Sequence, residues 1–353
     1  MTAAGPGITV LEASAGTGKT HTVTTVAVEA IAEGLPLDQV LLVTFTRMAT
    51  GELRDRVWRR LVTVENELAA HLEAGTTPTD DLAAELCDAD RETVAGRHVD
   101  LRAAVADFDA ATIATIHGFC QQVLSHVGFA GDVERDVDFL EDPRELTAQV
   151  VDDLLVQRLH RNADLQFPRE LRVITYDDLL TRLDGTLDGP SGDVVRHRLQ
   201  ERFHLVVVDE FQDTDTVQWR ILRRAFTGDG SKTRLVLVGD PKQAIYAFRG
   251  ADVHAYLAAR RAAGQDRVET LDVNWRSDAG LLMALDAVFG EAALGHDEIR
   301  YVRTTAADHH TEPRLVGGLR CQPMRIRQLR RDHPDVVFTD KSGHVKEPWA
   351  REL

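Results

Sequence analysis

Cysteine is scarce in this sequence of 353 residues, and its scarcity excludes two kinds of protein. Cys87, Cys120 and Cys321 are odd in number and lie far apart in the chain. A disulfide framework or a cysteine-based zinc site needs paired or closely spaced cysteines, so we expect neither.

Long apolar runs are also missing, and no run approaches the ~20 residues that span a bilayer. The stretch from Met1 to Gly5 lacks the basic region followed by an apolar one that marks a signal peptide. We therefore expect a cytoplasmic protein without a membrane partner.

Lysine supplies only five of the 41 basic residues, and the formal net charge is −16. This acidity argues against a protein that coats nucleic acid through bulk positive charge. It leaves a local nucleic-acid groove open, because most acidic residues fall in polar helical stretches where a solvated face explains them. The hydrophobic content of 43% is ordinary for a globular protein, and the length suffices for two or three domains.

The rest of the chain is organised around residues 10–20, which read Val-Leu-Glu-Ala-Ser-Ala-Gly-Thr-Gly-Lys-Thr. This wording predicts a strand end, a glycine-containing loop and the start of a helix. It fits the phosphate-binding loop pattern, with an alanine in the first glycine position. An ordinary glycine-rich turn before an amphipathic helix is the alternative. The predicted nucleotide-binding residues of the loop are Ala13, Ser14, Ala15, Gly16, Thr17, Gly18, Lys19 and Thr20.

The chemistry of this loop follows from its residue types. Gly16 and Gly18 allow the backbone to turn so that successive N–H groups face one anion. The helix that starts near Lys19 adds the positive end of its dipole. Lys19 is then expected to reach the β- and γ-phosphates, and the Thr20 hydroxyl to hold Mg²⁺.

Two adjacent carboxylates follow a second apolar strand, which is predicted within residues 203–208. Asp209 and Glu210 are thereby delivered to the end of that strand. Paired carboxylates beside a nucleotide have a plain use, because one can hold Mg²⁺ while the other orients or deprotonates water.

Further strands are predicted at residues 40–45, 109–117 and 234–240. Phe45 and His117 are predicted at strand ends, where open α/β sheets bind ligands. A core position explains Phe45 equally well, and a lone histidine at a strand end is usually structural. The pattern as a whole predicts an α/β protein with a central parallel sheet and a mostly helical insert at residues 127–200.

Six phrases of this sequence have a distinctive wording in a fixed order: Glu12–Thr20, Ile116–Cys120, Thr175–Leu179, Asp209–Asp215, Gly239–Asp252 and Asn274–Ser277. Together they resemble the superfamily 1 helicases of the UvrD/Rep class, and within that class the beta-subunit branch of exodeoxyribonuclease V. The resemblance runs from residue 8 to about residue 307.

The resemblance implies a P-loop NTPase that uses ATP and Mg²⁺. It implies that Asp209 assists the metal, that Glu210 is the base for the attacking water and that Gln243 senses the γ-phosphate. It also implies that Trp275 stacks on adenine and that Arg276 stabilises charge on the γ-phosphate. The positions that match DNA-contacting residues of the class are Phe45, His117, Tyr246 and Phe248.

The resemblance further implies an ATP-dependent 3′→5′ DNA helicase or translocase of recombinational repair. Its expected partners are single-stranded DNA, DNA ends and other subunits of exodeoxyribonuclease V. The expected domains are residues 1–126 and 201–289 for the two parts of the ATP-binding motor domain and residues 127–200 for the short insert. Residues 290–353 are expected to form the start of a second motor domain or an irregular tail.

Some features of the class are not found in the sequence. Two motifs of the second motor domain and the nuclease domain are missing, and an Arg-rich stretch follows Ala307. We therefore expect an incomplete member of the class. Two alternatives stay open: a fragment that binds ATP and single-stranded DNA without acting as a motor, or a subunit whose partner chain supplies the missing motifs.

Overall fold

The computed structural model describes residues 5–126, 138–139, 173–244, 252–314 and 324. The strands are β1 (Gly7–Ala13), β2 (Val40–Thr44), β3 (Thr112–Thr115), β4 (Asp138–Phe139), β5 (Val173–Ile174), β6 (Leu205–Val208), β7 (Arg234–Gly239), β8 (Val268–Leu271), β9 (Val273–Asn274) and β10 (Thr305–Ala306). The helices are α1 (Lys19–Ala32), α2 (Arg47–Ala74), α3 (Asp81–Cys87), α4 (Arg91–Ala106), α5 (Ile116–His126), α6 (Tyr176–Asp188), α7 (Gly192–Arg202), α8 (Thr216–Phe226), α9 (Val253–Ala263) and α10 (Ala279–Phe289).

Six of these strands form one sheet in the order β3-β2-β6-β7-β1-β8, and every pairing within it is parallel. The sequence prediction of an α/β fold with a central parallel sheet is therefore confirmed. Strands β9 and β10 form a separate parallel pair, as do β4 and β5.

Helices cover both faces of the sheet, which explains why its central strands read as unbroken apolar runs. Leu205 and Val207 of β6 belong to the cluster that contains α1 to α4. Val206 and Val208 alternate with them and belong to the cluster that contains α5 to α9. All four side chains are buried, so each residue of β6 packs against one helical layer.

The segment predicted as a helical insert is described only in part, because residues 127–137 and 140–172 lie outside the described residues. In the described part, α6 and α7 contribute Leu183 and Leu199 to the same apolar cluster as α5 and the sheet. The division of the chain into domains stays a prediction.

The prediction of a strand that ends at His117 is wrong. Strand β3 ends at Thr115, and His117 lies in the first turn of α5. The cause is local, because Thr115 Oγ1 accepts a hydrogen bond of 3.1 Å from the Gly118 backbone N–H. A threonine side chain that satisfies an early N–H group starts a helix in this way.

Within the described ranges, no helix is both long and apolar enough to cross a bilayer.

Candidate nucleotide site

The glycine-containing loop lies between the end of β1 and the start of α1. Gly16 and Gly18 have φ angles of +85° and +89°, a left-handed region that favours glycine. The Thr17 side chain is buried and its hydroxyl donates a hydrogen bond of 2.8 Å to the Ser14 carbonyl oxygen. Gly18 is the N-terminal cap of α1 and has no side chain to bond the first N–H groups of the helix. The loop is therefore a backbone cradle with the positive end of a helix dipole behind it.

A distant segment fixes the shape of this loop. Asn274 donates from Nδ2 to the Ala15 carbonyl oxygen at 2.9 Å, and the Trp275 N–H donates to the Gly16 carbonyl oxygen at 2.8 Å. A Cβ atom on Gly16 would lie 2.8 Å from Asn274 Oδ1, so the two segments touch too closely for any side chain at position 16. Asn274 Oδ1 in turn accepts the backbone N–H of Arg276 at 3.0 Å.

Trp275 stands beside the start of α1 with one part of its ring open to solvent. Its side chain is 53% exposed, and its Cδ1 atom is 3.7 Å from the place a Cβ on Gly18 would take. The ring of His309 approaches it with a centroid distance of 6.0 Å, and His310 Nε2 lies 3.0 Å from the Trp275 carbonyl oxygen. The structure thus brings Trp275, predicted to stack on adenine, and the phosphate loop together. Arg276 is exposed in the same turn.

Asp209 and Glu210 follow β6 directly, as the sequence predicts. The Asp209 backbone N–H still donates to the Val43 carbonyl oxygen of β2 at 2.8 Å, so the strand pairing extends to this residue. Glu210 then turns the chain with a φ angle of +51°, the one positive φ of a non-glycine residue among the described residues. Such a conformation costs of order 1–3 kcal/mol and is commonly retained at functional sites. The Glu210 N–H donates to Asp209 Oδ1 at 2.9 Å.

Lys19 joins the loop to these carboxylates and to the turn after β7. Its Nζ donates to Gln243 Oε1 at 3.1 Å and lies 3.5 Å from Glu210 Oε2. The Lys19 side chain is only 12% exposed, so its charge acts in a partly desolvated site. Three residues that the sequence predicts at the nucleotide therefore meet at one point.

Two carboxyl groups near this point have raised pKa values. Burial raises the pKa of Asp209 to about 6, and the Glu210 carboxylate adds to the rise while Lys19 opposes it. Burial also raises the pKa of Asp213 to about 6, with Glu210 again adding to the rise and Lys19 opposing it. The Oδ1 atom of Asp213 is buried and accepts no hydrogen bond from the described residues.

The four residues predicted at DNA are placed only in part. Phe45 is half-buried and lines the same small cavity as Asp209 and Glu210. His117 packs against the ring of Tyr176 with a centroid distance of 4.9 Å, and burial lowers the pKa of His117. Tyr246 and Phe248 lie outside the described residues.

Sequence reasoning missed three residues of this region. Tyr176 accepts a hydrogen bond of 2.8 Å from Arg47 Nη2 and stands against His117. Asn274 holds the phosphate loop, and Gln212 bonds both Glu210 and the turn after β7. Each lies inside a phrase that carried the resemblance, and this was the available signal; Gln212 and Asn274 also lie within two residues of a predicted site residue.

The parallel sheet, the glycine cradle before α1 and the carboxylates after β6 define a P-loop nucleoside triphosphatase fold. The sequence matches the UvrD/REP helicase N-terminal domain over residues 2–172 and 153–263, and the chain belongs to that family. Helicases of this family are ATP-dependent enzymes of nucleic acid and usually use Mg²⁺.

The chain is also similar to named members of this family. It is 40% identical over 373 residues to the RecBCD enzyme subunit RecB of Mycolicibacterium smegmatis, across 92% of this chain and 33% of the relative. It is 38% identical to RecB of Mycobacterium tuberculosis (strain CDC 1551 / Oshkosh) across 96% of this chain and 34% of the relative. RecB of Escherichia coli (strain K12) is 37% identical over 199 residues, or 52% of this chain and 16% of the relative.

These similarities make the chain a RecB-like member of the UvrD/REP helicase family, whose RecB branch is involved in recombinational repair. The chain spans about a third of the length of the mycobacterial relatives that it matches.

Proposed function

We propose that this chain binds Mg-ATP in the cradle before α1 and hydrolyses it to drive 3′→5′ movement along single-stranded DNA. The observation that carries the proposal is that Lys19 Nζ lies within 3.5 Å of both Glu210 Oε2 and Gln243 Oε1, near the carboxyl ends of three parallel strands. A cation, a carboxylate and an amide at this point are the groups that phosphoryl transfer to water requires.

The residues of the site fit a nucleotide and its metal. No side chain fits at Gly16, so the loop backbone can approach phosphate oxygens closely. The Thr20 hydroxyl and the Asp209 carboxylate supply the oxygen ligands that Mg²⁺ prefers. Bound there, the metal would neutralise charge on the β- and γ-phosphates.

Each protein group then has one task in hydrolysis. Glu210 orients the attacking water and accepts its proton as the new oxygen–phosphorus bond forms and the bond to the β-phosphate oxygen breaks. Lys19 and Arg276 offset the charge on the γ-phosphate, and Gln243 contacts it. Trp275 offers the adenine base a ring to stack on, beside the loop that holds the phosphates.

DNA is proposed to run over the aromatic side chains near the carboxyl ends of the strands. Phe45 lies next to the carboxylates and His117 stands against Tyr176, so we add Tyr176 to the predicted set of Phe45, His117, Tyr246 and Phe248. Bases stack on aromatic rings for about 1–3 kcal/mol each whatever their sequence, which suits a motor that crosses arbitrary DNA.

The proposal for the whole protein includes the RecBCD partners that the names of its relatives suggest, DNA ends as substrate and a place in the cytoplasm. We further propose the division into residues 1–126 and 201–289 for the motor domain, residues 127–200 for the insert and residues 290–353 for the start of a second domain or an irregular tail. The alternative is a module that binds ATP and DNA without motor activity. The exposure of Trp275 is compatible with this alternative.

The test is Mg-ATP hydrolysis by the purified chain, with and without single-stranded DNA. We expect a Kd for Mg-ATP between about 1 µM and 1 mM, or roughly −8 to −4 kcal/mol. We expect slow hydrolysis that Glu210→Gln abolishes while nucleotide binding persists, because the amide keeps the shape and removes the base. Nucleotide binding without any hydrolysis would favour the alternative. Strand displacement on duplexes with a 3′ or a 5′ overhang, carried out with a chain that contains both motor domains, tests the polarity.

A further inference from the structure

Five side chains close a ring of polar contacts around the proposed nucleotide site. Lys19 Nζ lies 3.5 Å from Glu210 Oε2, and the same oxygen accepts a hydrogen bond of 2.7 Å from Gln212 Nε2. Gln212 Oε1 accepts the Asp240 backbone N–H at 2.9 Å. Asp240 Oδ2 accepts Gln243 Nε2 at 2.7 Å, and Gln243 Oε1 returns to Lys19 at 3.1 Å. Neither sequence reasoning nor the resemblance gives a role to Gln212 or Asp240, and Gln212 is the one whose side chain contacts Glu210.

The orientation of the Gln212 amide is determined by its partners. A backbone N–H can only donate, so the atom that faces the Asp240 N–H must be the amide oxygen. The NH₂ group therefore faces Glu210, where a carboxylate can only accept. Gln212 is 3% exposed and Asp240 is 2% exposed, so water does not compete for the contact between them. The Glu210 side chain is 40% exposed, so its contact with Gln212 lies at the edge of solvent.

The Gln212 amide packs closely against the backbone of Gly239. A Cβ atom on Gly239 would lie 2.8 Å from Gln212 Oε1 and 3.1 Å from the Gln212 backbone nitrogen. The absence of a side chain at Gly239 is thus what allows the amide to reach the Asp240 N–H.

We propose that Gln212 is a positioning residue that holds the Glu210 carboxylate on the turn after β7 and so prevents Glu210 from sequestering Lys19. The proposal rests on the nucleotide-binding function given above. With the amide in place, the charge of Glu210 is shared between Gln212 and Lys19, and Lys19 is free to transfer to a phosphate. Gln243, in the turn after β7, also accepts a hydrogen bond from Lys19. The Gln212 amide connects this turn, through the Asp240 N–H, to Glu210. When a phosphate binds Lys19, the contacts of Lys19 with both Glu210 and Gln243 therefore weaken together.

A swap of donor and acceptor tests this role. Gln212→Glu keeps an acceptor for the Asp240 N–H but places a second carboxylate against Glu210, which strengthens the hold on Lys19. We expect Mg-ATP binding, measured by calorimetry on the full chain, to weaken about tenfold or more, which is ~1.4 kcal/mol. Adding Glu210→Gln exchanges the donor and the acceptor of the wild-type hydrogen bond. The new amide at position 210 then donates to the new carboxylate at position 212. We expect the double variant to bind within about threefold of wild type, or ~0.7 kcal/mol, and to remain unable to hydrolyse ATP.

Gln200→Glu is the matched control, since Gln200 is a half-buried glutamine that donates to the Ala225 carbonyl oxygen at 3.1 Å, away from the ring. It should leave Mg-ATP binding unchanged, and thermal unfolding of each variant reports whether it folds. A purely structural role for Gln212 predicts that the double variant binds no better than Gln212→Glu, and this result overturns the inference. Unchanged binding by Gln212→Glu overturns it as well, while the proposed function stands. Absence of Mg-ATP binding by the wild type overturns both.

Discussion

Lys19 Nζ donates a hydrogen bond of 3.1 Å to Gln243 Oε1, although 224 residues separate the two in the sequence. The contact joins the start of α1 to the turn after β7. Strand β1, which leads into α1, lies next to β7 in the sheet. Phosphate binding at Lys19 must therefore compete with contacts that the protein already makes. The nucleotide affinity depends on this exchange as well as on the cradle.

Lys19→Ala should remove most of the nucleotide affinity. A hydrogen bond to a charged group contributes about 1.5–3 kcal/mol, so we expect Mg-ATP binding to weaken roughly 10- to 100-fold. Calorimetry measures the change, and Lys232→Ala removes an exposed lysine elsewhere as the control. Equal affinities of Lys19→Ala and wild type would refute the assignment of the phosphate loop.

Trp275→Ala separates the base from the phosphates. Loss of a stacking ring costs about 1–3 kcal/mol, which weakens ATP binding about 5- to 100-fold. Inorganic tripolyphosphate has no base, so its affinity should not change. If both ligands lose affinity equally, Trp275 acts by shaping the loop through its bond to the Gly16 carbonyl oxygen and not by stacking.

Gly16→Ala tests the contact between the loop and Asn274. The new Cβ would meet Asn274 Oδ1 at 2.8 Å, in addition to the cost of a φ angle of +85°. Gly230→Ala is the control, because Gly230 has a φ of +80° with nothing within 4 Å. We expect Gly230→Ala to lower the free energy of unfolding by about 1–2 kcal/mol and Gly16→Ala to lower it further and to weaken ATP binding. Urea unfolding gives the first quantity, and similar losses for the two variants would show that Asn274 moves aside at little cost.

Asp213→Asn should stabilise the protein in a pH-dependent way. The pKa of Asp213 is about 6 in the folded protein, above its ordinary value of 3.8, so the folded state binds more protons than the unfolded state between these values. The stability that this group contributes is therefore present at low pH and falls as the pH rises through about 6. Asparagine removes the charge, so at pH 7.5 we expect a gain of up to about 3 kcal/mol, from ~1.4 kcal/mol for each of roughly two pKa units. Solvent screening lowers this figure, and we expect little gain near pH 4.

Thermal unfolding of Asp213→Asn and wild type across this pH range provides the measurement. A difference that does not change with pH would mean that the Asp213 carboxyl group is not protonated preferentially in the folded protein.

His117→Ala combined with Tyr176→Ala should weaken binding of single-stranded DNA. Two stacking positions contribute about 1–3 kcal/mol each, and binding should also fall steeply with added salt. Trp58→Ala is the control, because Trp58 is 39% exposed and packs against Phe108 on another surface. Fluorescence anisotropy with a labelled oligonucleotide reports the affinity. A loss from Trp58→Ala as large as that from the pair would place the DNA elsewhere.

The sequence predicts the parts of this fold that depend on local pattern. The apolar runs at β1, β2, β6 and β7 indicate buried parallel strands, and the glycine loop marks the start of α1 within one residue. The prediction placed His117 in a strand, whereas α5 begins at Ile116. The sequence pattern does not distinguish a threonine that caps a helix, as Thr115 does, from a threonine that continues a strand.

Contacts between distant segments are the part that pattern does not reveal. Asn274 bonds the loop that follows β1, and Gln212, which follows β6, bonds Asp240, which follows β7. These bonds form only because the sheet brings the segments together. The sequence likewise gives no indication of the left-handed φ angle of Glu210, since no glycine marks the turn.

The strand order has a consequence for synthesis of the chain on the ribosome. Strand β1 pairs only with β7 and β8 in the described sheet, and Gly7 meets Arg234. At about 5–20 residues per second, β1 leaves the ribosome roughly 10 to 45 s before its first partner is made. Strand β2 pairs with both β3 and β6, and these three strands can assemble during this delay. The segment that carries the phosphate loop is thus translated well before the strands that hold it in place, so newly made chains acquire nucleotide affinity only when the turn after β7 has emerged.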